Sequence, residues 1–297
     1  MLETVALPIV RFALSEDIGT GDITTLNTVP GGVKARAVVL ARADGVIAGI
    51  DVAQLVFREV GADLKFRAMA QDGERVQAGH GVAQVIGDIG SILKGERTAL
   101  NFLQHLSGIA TLTARYVEAV KGTGAVILDT RKTTPGLRFL EKFAVKAGGG
   151  ENHRLALWDM YLVKDNHIRA AGGIGPALDR IARTRQGDVL LEVEVETLEQ
   201  LRQALRPDVD RILVDNQPPE NVRLAVQEVD RWSAEHRDAN PRRRSGARRW
   251  PEVEVSGGVD LTTVRTYAET GADYISVGAL THSAPALNLS LEIEELG

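Results

Sequence analysis

The chain has 297 residues, with 35 lysines and arginines against 40 aspartates and glutamates, a net charge of −5, 44% apolar residues and no cysteine. The mildly acidic balance argues against nucleic acid or an anionic membrane as the main partner, and the missing cysteines exclude disulfides, thiolate zinc sites, iron–sulfur clusters and cysteine nucleophiles. No apolar run reaches the roughly 18 residues of a membrane span and the N-terminus lacks a signal-peptide pattern, so a soluble, cytoplasmic protein is expected.

Residues 1–111 read as an α+β domain. A first amphipathic helix carries Ile9, Ala13 and Leu14, followed by the turn-rich segment 19–22, a hairpin around Asp44-Gly45 and a helix near 52–60. Short strands broken by Asp72-Gly73 and by 79–81 come next, and a long helix over 92–120 leads onward. In 112–280, β-branched runs at 125–130, 161–166, 189–196, 211–216, 252–258 and 274–278 alternate with helical periodicity. The helix after the first run spaces Leu137, Leu140, Ala144 and Ala147 on one face, puts Arg138, Glu141, Lys142 and Lys146 on others, and stops at the glycines 148–150. Strands alternating with helices imply parallel pairing through helical crossovers. A doubly wound open sheet and an α/β barrel both fit; polar or glycine residues at the end of nearly every strand favour the barrel. Residues 231–250 contain seven arginines and little apolar periodicity, and read as an exposed, solvated insertion. Residues 281–297 form a separate C-terminal segment.

The densest polar stretch is 129–167. Arg131 and Lys132 lie just past the first run, His153 and Arg154 follow the triple glycine, and Lys164 ends the second run. Charges at barrel strand ends face the mouth, and forked guanidinium donors beside compact ammonium groups suit a ligand with several carboxylates or phosphates. Lys142 and Lys146 read as ordinary ion pairing on a solvated helix face. In the third run, Glu192, Glu194 and Glu196 share one face at period 2, a costly arrangement in a barrel unless the acids meet cations, sugar hydroxyls or a metal. Asp215 ends the fourth run. Ser256-Gly257-Gly258 and Gly278 close the last two, where glycines let backbone amides approach a phosphate. A pocket for a phosphorylated sugar beside a cationic pocket for a second acid is expected, with transfer at a sugar carbon as the reaction.

These motifs, in order, resemble the quinolinate phosphoribosyltransferase family, the decarboxylating nicotinate-nucleotide pyrophosphorylases of NAD synthesis. The resemblance is carried by Asp129-Thr-Arg-Lys-Thr-Thr-Pro-Gly-Leu-Arg138, Gly148-Gly-Gly-Glu-Asn-His-Arg154, Lys164-Asp-Asn-His-Ile168, Glu192-Val-Glu-Val-Glu196, Leu213-Val-Asp-Asn216, Ser256-Gly-Gly258, Gly278-Ala-Leu-Thr-His-Ser283 and, near the start, the segment 16–25. It implies an incomplete α/β barrel of about six parallel strands, an N-terminal α+β sandwich, and a C-terminal segment returning to the first domain. It also implies transfer of phosphoribosyl from phosphoribosyl pyrophosphate to quinolinate with loss of CO₂, Mg²⁺ as cofactor, and a homodimer.

Carried over by position, Arg97 (reaching across the dimer interface), Arg131, His153, Arg154 and Lys164 would hold the two carboxylates of quinolinate, with Lys132 shared towards phosphoribosyl pyrophosphate. Glu194 and Asp215 would bind ribose hydroxyls and, directly or through water, Mg²⁺. Ser256, Gly257, Gly258, Gly278 and His282 would take the 5-phosphate. Lys132, Lys164, Glu194 and Asp215 are the expected catalytic set. Two departures from the family pattern are Ala156, where glycine is usual, and the long arginine-rich insertion. Other readings stay open: a Schiff-base lyase using Lys164, the related branch linked to molybdenum transport, and a non-catalytic binding protein that uses the insertion.

Overall fold

A computed structural model describes residues 2–236 and 249–296, so 237–248, the middle of the arginine-rich insertion, lie outside the described residues. The N-terminal elements are α1 (Leu2–Ile18), α2 (Ile23–Thr28), β1 (Lys34–Ala41), β2 (Gly45–Val46), α3 (Ile50–Val60), β3 (Lys65–Ala68), β4 (Arg75–Val76), β5 (Gly81–Asp88) and α4 (Ile89–Ala119). Then follow β6 (Val126–Leu128), α5 (Arg138–Ala147), β7 (Met160–Val163), α6 (Asp165–Ala171), α7 (Ile174–Thr184), β8 (Leu190–Val195), α8 (Leu198–Ala204) and β9 (Arg211–Asp215). The chain ends with α9 (Pro219–Glu235), β10 (Glu252–Ser256), α10 (Val264–Ala268), β11 (Tyr274–Ser276), α11 (Ala279–His282) and β12 (Leu289–Leu296).

These elements form two compact units. One comprises the chain up to Ala114, Lys132–Gly150 and the segment from Ala279 onward; the other comprises Arg115–Arg131 and Glu151–Gly278. The segment Lys132–Gly150 thus groups with the N-terminal elements, although sequence order puts it within 112–280.

In the first unit, a four-stranded antiparallel sheet runs β12-β1-β5-β3, with the C-terminal strand paired to β1. The expected hairpin at Asp44-Gly45 does not form: β1 pairs with β12 and β5, while β2 pairs with β4. The buried stripe of α1 is Ala6, Val10 and Leu14, one residue off the face read from Ile9 and Ala13. The solvated reading of α5 holds for Lys146, which is exposed, and needs correction for Lys142. Glu141 and Lys142 are both buried, and Glu141 accepts hydrogen bonds from Thr134 N at 3.1 Å and pairs with His105 Nε2 at 2.8 Å. Beyond stopping the helix, Gly148 allows close packing, since a Cβ there would sit 2.4 Å from the carbonyl oxygen of Ala110.

The second unit is the parallel sheet β6-β11-β10-β9-β8-β7. From β7 to β11 each strand pairs with the next in sequence, and β11 then pairs with β6, a cyclic order broken only at a seam between β6 and β7. A doubly wound sheet reverses direction at a switch point and this one never does, so the unit is an incomplete α/β barrel. Registers bring the strand ends level, with Val163 opposite Val193 and Ser256 opposite both Asp215 and Ser276. The valines and isoleucines Val193, Val195, Ile212, Val214, Val253, Val255 and Ile275 are buried, as the β-branched runs require. The ends of the arginine-rich segment differ from a solvated loop: the first is the exposed last turns of a helix, with Ser233 buried, and the last is core. α9 continues through Arg231 to Glu235, and Arg249 and Trp250 are only 1% and 4% exposed.

Candidate active site

At the seam, Asp129 follows β6 and is fully buried; it accepts the backbone N–H of His153 at 3.0 Å, while its own N–H donates to Glu151 O at 3.2 Å. This lacing fixes the two segments that carry Arg131 and Arg154. Arg154 is 9% exposed and donates from Nη1 to Met160 O at 3.2 Å, but its Nε and the Nε of Arg131 have no hydrogen-bond partner among the described residues. Burial, reinforced by the nearby Arg131 charge, lowers the proton affinity of the Arg154 guanidinium. Two neighbouring guanidiniums without a carboxylate partner are an unfavourable arrangement by themselves and a favourable one around an anion. Beyond Arg154, the Asp159 carboxylate accepts from the N–H groups of Leu155 and Ala156 at 2.6 and 2.8 Å, so the loop closes without a positive φ at Ala156.

Across the β7–β8 ends, Lys164 Nζ pairs with Glu194 Oε2, and Lys164 N donates to His167 Nδ1 at 3.0 Å. Asp215 ends β9 and accepts from Asn216 Nδ2 at 2.7 Å through Oδ2. Glu194 and Asp215 each keep one carboxylate oxygen outside these contacts, and two hard oxygen donors on adjacent strand ends suit Mg²⁺. Ser256, Gly257 and Gly258 follow on β10, with φ of 92° and 66° at the glycines, and Gly278 lies just past β11.

Below the rim lies a buried cluster that the sequence reading did not assemble. Glu192 on β8 and Glu254 on β10 are fully buried, with Arg211 on β9 between them. His153 Nε2 lies 2.9 Å from Glu192 Oε2 and 3.4 Å from Glu254 Oε1, Arg211 Nη1 lies 2.8 Å from Glu254 Oε2, and the Arg211 guanidinium stacks 3.9 Å over the Tyr274 ring. His153 Nδ1 accepts the Arg154 N–H at 2.8 Å, so the imidazole carries its proton on Nε2. Burial alone would push this imidazole down, but Glu254 and the hydrogen bond to Glu192 outweigh it and raise its proton affinity.

Two carboxylates, one guanidinium and a neutral imidazole leave one negative charge in excess, which a single proton removes. Burial and then the Glu192 charge push Glu254 up to about 7, whereas Glu192 is held low once its hydrogen bond to His153 overcomes its own burial. Glu192 Oε1 and Glu254 Oε1 otherwise have no hydrogen-bond partner among the described residues, and a shared proton satisfies both. His153, Glu192 and Glu254 have metal-ligating atoms within 4.8 Å of one another. With the Arg211 charge in the cluster and both His153 nitrogens engaged, the arrangement suits a proton better than a cation.

The structure therefore brings together Arg131 with Arg154, Lys164 with Glu194, and His153 with Glu192. Arg97, Lys132 and His282 belong to the other unit and are exposed. There Thr281 donates to the Lys132 carbonyl at 2.8 Å, and His282 Nδ1 lies 2.6 Å from Ser283 Oγ. Sequence reasoning missed Arg211 and Glu254. The available signal was the alternation of Glu252 and Glu254 with valines, which repeats the pattern of Glu192 and Glu194.

Comparison with known proteins agrees with this architecture. The family model described as quinolinate phosphoribosyl transferase, N-terminal domain, matches residues 22–107, and the corresponding C-terminal domain matches 109–292. A nicotinate-nucleotide pyrophosphorylase [carboxylating] of Mycobacterium leprae is 44% identical over 289 residues, covering 96% of this chain and 95% of that protein. A mitochondrial quinolinate phosphoribosyltransferase [decarboxylating] of Nicotiana tabacum is 41% identical, covering 96% of this chain and 81% of its own. The solved nicotinate-nucleotide pyrophosphorylase of Francisella tularensis superposes with a TM-score of 0.88 at 36% identity, covering 98% and 97% of the two chains. Two domain models in tandem and close relatives along almost the whole length place this chain in the quinolinate phosphoribosyltransferase family.

Proposed function

We propose that the protein transfers phosphoribosyl from phosphoribosyl pyrophosphate to quinolinate with decarboxylation, releasing nicotinate mononucleotide, pyrophosphate and CO₂ for NAD synthesis. The observation that carries this reading is the Arg131–Arg154 pair, two guanidiniums at the barrel seam with unpartnered Nε atoms and no carboxylate in salt-bridge range among the described residues. A dicarboxylate supplies the missing charge. Arg131, Arg154 and Lys164 orient quinolinate, with His153 behind them, and Arg97 completes the pocket from the second subunit of a homodimer.

Glu194 and Asp215 hold the ribose hydroxyls and support positive charge developing at C1, electrostatic work suited to preorganised groups. Lys132 faces the pyrophosphate, and Ser256, Gly257, Gly258, Gly278 and His282 hold the 5-phosphate. Glu194 and Asp215 would hold Mg²⁺, which would supply neutralising charge for the leaving pyrophosphate. Attack of the pyridine nitrogen on C1 makes that nitrogen cationic, so loss of CO₂ from the adjacent carbon leaves a stabilised carbanion that is then protonated. No protein nucleophile is required, and holding both substrates in line supplies much of the rate.

The test is to incubate the purified protein with quinolinate, phosphoribosyl pyrophosphate and Mg²⁺. Nicotinate mononucleotide, pyrophosphate and CO₂ are expected in equal amounts. Product from nicotinate but not from quinolinate would refute the assignment, and borohydride trapping of a substrate on Lys164 would favour a lyase instead.

A further inference from the structure

The residue after Asp215 has no task in the scheme above, yet its geometry is unusual. Asn216 is the one non-glycine residue with positive φ, 51°, among the described residues. Asparagine tolerates this region better than most residues, but such a conformation persists only where its surroundings over-determine it. Three contacts do so here. The Asn216 N–H donates to Ser256 O at 2.9 Å, tying the end of β9 to the end of β10. Its Nδ2 turns back to donate to Asp215 Oδ2 at 2.7 Å. Its amide also lies against Gly257, where an added Cβ would stand 2.0 Å from Asn216 Oδ1 and 2.6 Å from Cγ.

We propose that Asn216 is a positioning residue that aims the Asp215 carboxylate, and that Gly257, whose φ of 92° already favours glycine, also leaves the space in which the Asn216 amide sits. By engaging Oδ2, Asn216 fixes the carboxylate plane and leaves Oδ1 as the oxygen for ligand. Gly257 thereby gains a task beyond the close approach of a phosphate, because any side chain there expels the amide that holds Asp215. The inference rests on the proposed role of Asp215 towards phosphoribosyl pyrophosphate.

The test uses Asn216→Gly, which keeps the left-handed backbone accessible and removes only the amide, together with Gly257→Ala, Asp215→Ala and the double variant of Asp215→Ala with Asn216→Gly. Steady-state kinetics with both substrates are paired with calorimetric binding of Mg²⁺–phosphoribosyl pyrophosphate in the absence of quinolinate. Asn216→Gly is expected to weaken phosphoribosyl pyrophosphate by about tenfold in both KM and Kd, since small misplacements of an aligned group are costly. The KM for quinolinate should stay within about twofold, and in the Asp215→Ala background Asn216→Gly should add nothing, as expected of two residues acting as one unit. Gly257→Ala should act in the same direction as Asn216→Gly. The proposal is overturned if Asp215→Ala weakens phosphoribosyl pyrophosphate while Asn216→Gly does not, if the two effects add, or if Asn216→Gly raises the quinolinate KM equally. Should Asp215→Ala by itself leave phosphoribosyl pyrophosphate binding unchanged, the role of Asp215 fails first and the proposal falls with it.

Discussion

Replacing Glu254 by glutamine tests whether the buried cluster carries a proton. Glutamine has the same shape and cannot titrate, yet it offers a donor where the protonated carboxyl has one. Glu254 moves from 4.5 to about 7 on folding, mainly through burial and the Glu192 charge, so between those values the folded state keeps a proton that the unfolded chain releases. The corresponding stabilisation is complete below 4.5 and is lost as pH rises through about 7. At about 1.4 kcal/mol per pH unit, the span amounts to roughly 3 kcal/mol. Glu254 is also the main charge that raises the proton affinity of His153, so the substitution relaxes that shift too, and both changes make the wild-type advantage shrink as pH rises. Urea unfolding of wild type and Glu254→Gln in steps from about pH 4.5 to pH 7.5 should show the wild-type advantage shrinking by roughly 3 kcal/mol. A difference that stays constant across this range would mean that Glu254 is ionised throughout, and the shared-proton account of the cluster would be wrong.

Other perturbations have equally definite outcomes. Arg211→Met leaves Glu254 and Glu192 buried without their cation and should cost about 3–5 kcal/mol in denaturant unfolding at neutral pH; a loss under about 1 kcal/mol would show that the cluster needs no counter-charge. Arg131→Ala should lower kcat/KM for quinolinate by two or more orders of magnitude, the scale of removing one partner of a buried charge pair (about 2–5 kcal/mol), and wild-type activity would remove Arg131 from the site. Glu194→Gln should slow turnover and weaken phosphoribosyl pyrophosphate, and unchanged kinetics would count against its ribose role. Gly148→Ala places a Cβ 2.4 Å from Ala110 O and should destabilise the fold by about 1–3 kcal/mol, measured by thermal melting.

The barrel was legible because its strands are continuous β-branched runs and its helices are periodic, and these local signals also set the order of the elements. The strand ends were legible for the same reason, since each polar residue stands where an apolar run stops. Pairing between distant segments was not. Nothing near Asp44-Gly45 indicates that β2 joins β4, because a turn dipeptide announces a reversal and not a partner. Buried charges also misled: Lys142 has the composition of a solvated helix face, and Arg249 closes an arginine-rich run, yet both are core residues. Arg249 lies 3.3 Å from Asp230 and 3.4 Å from Asp273, partners 19 and 24 positions away that the local sequence does not announce. The glutamates at period 2 correctly signalled a need for counter-charges, but Arg211, which meets Glu254, comes from a separate strand.

The seam between β6 and β7 has a mechanical consequence. Arg131 follows one edge strand and Arg154 precedes the other, so an anion gripped by both spans the single break in the cyclic sheet as a noncovalent staple. At about 100 times its Kd, such a ligand adds roughly 2.7 kcal/mol to the folded state. Much of that gain should fall on local opening at the seam, where β6 and β7 share no strand ladder and the edges are joined by the bonds of Glu151 and His153 to Ile127 and Asp129. Amide hydrogen exchange along β7 and the segment 151–159 should therefore slow on binding more than exchange in the central strands β9 and β10, and substrate capture would close the ring that the chain itself leaves open.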